Sequence, residues 1–109
     1  MEYSILKKMY LGTIGSTSKT QIYTVPAATT NGPSIVRELT VHNTDTSTDV
    51  NFTLFINNIA FVNTTIAPKG NLFIGNDWYL VVEPGDKISV QASKGNVLNV
   101  YMGGSETLK

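Results

Sequence analysis

Between Val50 and Asn57 the side chains alternate so regularly that the backbone conformation is nearly dictated. Val50, Phe52, Leu54 and Ile56 fall on one side, and Asn51, Thr53 and Asn57 on the other. Successive side chains of a strand point to opposite faces, so this run is a strand with one buried and one wet face. Asn57-Asn58 suits a two-residue hairpin turn, because Asn tolerates positive φ, and Ile59 to Ile66 then returns as the partner strand. Pro68-Lys69-Gly70 closes the unit, with Pro at the second turn position and Gly supplying permissive geometry.

The same grammar recurs along the chain. Strands are expected at Gln21 to Val25, Ile35 to Asn43, Trp78 to Val82, Lys87 to Ala92 and Val97 to Met102. Their punctuation is the turn-rich Pro26 to Pro33, Pro84-Gly85-Asp86 and Lys94-Gly95-Asn96, with Ile88, Val90 and Ala92 facing inward. Val, Ile and Thr supply 33 of the 109 residues, and these branched side chains pack well on a pleated surface. The expectation is an all-β chain: one antiparallel β-sandwich or jelly-roll-like domain of seven to nine short strands over residues 11–109. Residues 1–10 fit either a short capped helix, with Ile5/Met9 and Leu6/Tyr10 four apart, or a strand or extended arm, the reading adopted here. Gly15 to Lys19 reads as a polar link.

Charge and composition narrow the function classes. Eight Lys and Arg balance eight Asp and Glu, and Lys7-Lys8 is the only adjacent basic pair, so nucleic acid is not an expected partner. No apolar run approaches the roughly 18 residues of a spanning helix, and no membrane partner is expected. The lysines follow Ile5-Leu6 instead of preceding an apolar stretch, the wrong order for a secretory signal, so synthesis in a cytosol is expected. With no Cys, disulfides and thiolate chemistry drop out.

Candidate sites are few. His42 would need an orienting carboxylate and a nucleophile to act as a base; Asp45 and Asp49 lie in the following loop, where Asp, Ser and Thr ordinarily bond their own backbone. That loop lacks the acidic spacing and closing Glu of a calcium loop, so no metal, cofactor or catalytic residue is assigned and no enzyme is expected. Trp78, Tyr79 and Tyr101 form the candidate glycan platform, against the alternative that one of Trp78/Tyr79 enters the core and the other lies at a rim. Phe55 interrupts the polar face of the best-defined strand, either as surface scatter or as the anchor of a subunit interface.

Longer patterns carry a resemblance. Ile22-Tyr23-Thr24-Val25-Pro26-Ala27 is followed by Ile35-Val36-Arg37-Glu38-Leu39-Thr40-Val41-His42-Asn43-Thr44, then by the hairpin strand Leu54 to Asn57. Gly85-Asp86-Lys87-Ile88-Ser89-Val90-Gln91-Ala92 and Leu98-Asn99-Val100-Tyr101-Met102-Gly103-Gly104-Ser105-Glu106 complete the series. In this order, over about Leu11 to Glu106, the chain resembles a group of small phage virion proteins and fibre-associated domains. The resemblance implies a capsid-decorating, neck or tail accessory protein of the virion, made in the host cytoplasm. It also implies docking on other virion proteins and homo-oligomerisation, with no active site. The alternative is a carbohydrate- or receptor-binding module of a fibre. Residues 1–10 exceed the usual lead-in. Tyr3, Ile5, Met9, Tyr10 and Phe55 are the candidate protein-interface residues, with Tyr3 to Leu11 expected to reach a neighbouring subunit by strand addition.

Overall fold

The computed structural model describes residues 2–109. Among these residues nine strands are present: β1 (Tyr3–Thr13), β2 (Thr20–Thr24), β3 (Asn31–Asn43), β4 (Val50–Ile56), β5 (Ile59–Ile66), β6 (Asn71–Ile74), β7 (Leu80–Val82), β8 (Lys87–Ala92) and β9 (Leu98–Leu108). All pairings are antiparallel. The first sheet has the order β1-β9-β3-β6, with β7 also paired to β3, and the second has the order β2-β8-β4-β5. The expected all-β sandwich is therefore what the chain forms.

Alternation decides which side chains meet between the sheets. Phe52 and Leu54 from β4, Ile88 and Val90 from β8, Leu39 and Val41 from β3, and Leu98, Val100 and Met102 from β9 are all at most 1% exposed. Burying side chains of this size contributes about 2 kcal/mol each, so the two sheets hold together without a staple.

The strand adopted for the N-terminal segment is present as β1, which runs on to Thr13 and pairs with β9 of its own chain from Tyr3↔Leu108 to Thr13↔Asn99. Several other sequence expectations are corrected. β3 begins at Asn31, so Pro33 lies within a strand instead of ending a turn; it sits where the register with β9 shifts between Asn31 and Ser34, a place where its missing N–H disrupts no ladder bond. β9 runs on through Gly103-Gly104 to Leu108, past the expected end at Met102. The strand expected from Trp78 starts only at Leu80, and β6 was not anticipated. In the turn after β5, Gly70 N–H donates to Ala67 O (2.8 Å), but it is Lys69 that takes the positive φ (61°). Gly70 is needed for a different reason: a Cβ there would lie 2.9 Å from Ala67 O.

The molecule is elongated, 51 × 26 × 19 Å, with a radius of gyration of 14.3 Å against about 13 Å for a compact chain of this length. The long β1–β9 pair accounts for the length, since 11 residues of strand span about 36 Å.

Candidate assembly surface

Strand register on the first sheet places residues far apart in sequence into rows on its outward face. Tyr101 pairs with both Leu11 and Thr40, and Thr40 pairs with Phe73, giving one row across four strands. Leu11 is 64% and Phe73 58% exposed, each next to residues that pack against the core, so this row looks away from it. A second row joins Leu6, Ser105, Ile35 and Val81, with Leu6 89% exposed. Between the two rows Gly103 pairs with Lys8 and Glu38 and has no side chain to fill the gap. The result is a depression of about 330 Å³ whose lining includes Leu6, Lys8, Arg37, Glu38 and Tyr101. Tyr101 lays its ring over Gly103, and Phe73 does the same to Gly75. A solvated outward sheet face ordinarily carries polar residues. This one carries apolar residues in two of its rows.

The interface residues expected from sequence divide sharply. Tyr3 and Ile5 are exposed at 55% and 38%. Met9, at 8%, belongs to the core, and Tyr10 packs against it, so neither offers a free surface. Phe55 does face outward on the second sheet, but it is half-covered: the Lys19 ammonium lies 4.6 Å from its ring centroid. Lys19 is held there by Asn57 O (3.1 Å) and Asn58 Oδ1 (2.8 Å), which accept from its Nζ. Leu6 and Leu11, within the segment expected to reach a neighbour, are exposed, and so are four apolar residues not singled out from the sequence: Phe73, Val81, and Ile59 and Phe61 on the edge strand β5. A signal for the last two was present, since Ile59-Ala60-Phe61-Val62 is apolar throughout where a half-wet strand would alternate.

Of the three candidate glycan-stacking rings, Trp78 packs on the core, Tyr101 covers Gly103, and Tyr79 is the one well exposed (61%). His42 Nδ1 shares a 2.7 Å hydrogen bond with Asn71 Oδ1, beside a Thr13–Asn99 bond in the same polar row. No group of three potential metal ligands occurs among the described residues.

Asp45 closes the β3–β4 loop. Its Oδ1 accepts from the Ser47 and Thr48 N–H groups (2.9 and 3.2 Å), and its Oδ2 pairs with Lys94. The Lys94 hydrogen bond, helped by the Ser47 N–H, lowers its pKa to about 2. A carboxyl lowered on folding stabilises the native state above its unfolded value of about 3.9, and that contribution is lost as the pH falls through the folded value. Melting curves of wild type and Asp45→Asn should therefore differ at pH 6 and converge as the pH falls from about 4 to 2. A difference independent of pH would show that the Asp45 charge plays no part.

Residues from the first and last of the quoted strand patterns meet between the sheets. Tyr23 Oη donates to Glu106 Oε2 (2.5 Å) and lies 3.1 Å from Ser34 Oγ. Burial first, and the Glu106 hydrogen bond second, push the phenol well above its ordinary value, so Tyr23 remains a donor at neutral pH. Tyr23 and Glu106 thereby tie β2 of one sheet to β9 of the other.

No protein-family model and no curated protein sequence matches the chain. Among solved structures it is similar to the infectious bursal disease virus VP2 subviral particle, with a TM-score of 0.36 and 15% identity over 99% of this chain and 32% of that one. The infectious bursal disease virus Gx strain structure gives 0.34 and 12%, over 99% and 31%. The chain spans about a third of the length of either. Similarity at this level carries no inference about what the chain does.

Proposed function

We propose that the protein is a non-enzymatic structural component of a bacteriophage particle, a head-decorating, neck or tail accessory protein that self-associates and docks on other virion proteins. The observation that carries this reading is the outward face of the first sheet, where Leu6, Leu11, Phe73 and Val81 are all more than half exposed. Large apolar side chains gathered on one exposed sheet face of a small domain point to a contact site. The ordered sequence resemblance to small phage virion proteins supports the kind of assembly.

Phe73→Asp combined with Leu11→Asp should abolish incorporation into particles. Both side chains already face solvent, so thermal stability should change by no more than about 0.5 kcal/mol per site. Gradient-purified particles assembled with wild type or variant, compared by quantitative mass spectrometry, read this out. Equal incorporation would remove the outer face from the docking role. Absence of the wild-type protein from particles would remove the virion reading altogether.

A further inference from the structure

The first sheet ends in an open edge. β1 pairs with β9 on one side only, so alternate residues direct their N–H and C=O groups outward from the sheet edge. The stretch from Glu2 to Lys8 is exposed at every residue, while Met9 turns into the core at a register shift between Lys8 and Tyr10. The flat, accessible part of the edge therefore stops at Lys8.

Charge along that segment is polarised. Glu2 stands at its start, Lys7 and Lys8 at its end, and Ile5-Leu6 in the middle. Among the described residues the one ion pair is Asp45–Lys94, so none of these three charges is neutralised within the chain. A strand with opposite charges at its two ends is complementary to an antiparallel copy of itself.

We propose that two copies of this chain pair edge to edge through β1, antiparallel and centred on Ile5. The proposal rests on the self-association in the function proposed above and gives it a geometry. Ile5 then faces Ile5, Ser4 faces Leu6, Tyr3 faces Lys7, and Glu2 of each copy faces Lys8 of the other. The two-fold axis repeats every contact, as an isologous interface requires. This register keeps outward residues opposite outward residues, so the two first sheets join into one continuous sheet. Slipping by one residue would turn the second copy over and break the Glu2–Lys8 match. The interface covers Tyr3, Ile5 and Leu6, and leaves Leu11 and Phe73 free for another partner.

Sedimentation equilibrium at low salt on wild type, Glu2→Lys, Lys8→Glu and the double exchange tests the pairing, with circular dichroism confirming that each remains folded. Wild type should dimerise. Each single reversal turns two attractive cross-strand pairs repulsive and should weaken the dimer by on the order of tenfold or more. The double exchange should restore it. A wild type that stays monomeric up to millimolar concentration overturns the proposal and leaves the edge to a foreign strand. A dimer indifferent to both reversals, or one the double exchange fails to restore, overturns the register. A monomeric wild type also counts against self-association in the function proposed above, whereas docking in the virion is tested separately by particle composition.

Discussion

Gly104→Val is expected to abolish folding. Gly104 lies in β9 opposite Val36, directly across from the register shift between Val36 and Glu38. A Cβ at this position would sit 1.8 Å from Ile35 O and 2.9 Å from its carbonyl carbon. Those are backbone atoms of the neighbouring strand, so no rotamer change relieves the clash. Only separating β3 from β9 does, and β9 is the strand that joins β1 to the rest of the sheet. Alanine already carries the offending atom and should cost about 3 kcal/mol, in the range of severe overpacking. Valine adds two methyl groups to it and should exceed the stability of a domain this size. Soluble expression and far-ultraviolet circular dichroism check both; a folded Gly104→Val variant would mean that the two strands can move apart at small cost.

The second large effect is expected at Asn43, which is fully buried at the end of β3. Its Nδ2 donates to Thr48 O and Ile66 O, each at 3.0 Å, and its Oδ1 accepts from the Asp45 N–H at 3.0 Å. One side chain thus fastens the β3–β4 loop to the end of β5. Asn43→Ala leaves the buried Ile66 carbonyl and the part-buried loop groups without these partners, at roughly 1–3 kcal/mol for each group that stays unpaired. Partial relaxation of the exposed loop brings the expected loss to about 3 kcal/mol, read as a lower urea midpoint at unchanged slope. A loss below about 1 kcal/mol would show that water reaches the site.

These two positions show where sequence reasoning stops. The strands β4 and β8 were legible almost to the residue, because a half-buried strand writes its two faces directly into the chain, and β5 followed as the return strand of the Asn57-Asn58 hairpin. The role of Asn43 was not: it appeared only as one letter of a pattern, since a buried Asn and a turn Asn look alike until the loops it bonds are known. Gly103-Gly104 lay beyond the strand expected to end at Met102, and the close approach of Ile35 O explains why glycine stands at position 104 inside β9. The N-terminal segment was ambiguous for a related reason. Residues 3 to 8 are exposed on both faces, so no alternation marks them as a strand, and pairing with β9 fixes their conformation. With Met9 in the core, removing residues 1–10 would strip a strand from the sheet, so deletion cannot separate an assembly role from folding; charge reversal at Glu2 and Lys8 can.

The outward face of the first sheet was invisible for the strongest reason. Leu11, Tyr101, Thr40 and Phe73 come from four strands, and only the register of three pairings brings them into one row. Each alone is an unremarkable surface residue. Together they make a surface that the domain's own fold leaves uncovered.

An image reconstruction of the native particle, at a detail that resolves strands, tests that surface most directly. This sandwich should be found in the particle with Leu11, Tyr101 and Phe73 packed against a neighbouring protein. A particle in which the sandwich is present with that face open to solvent, its contacts made elsewhere, would contradict this expectation.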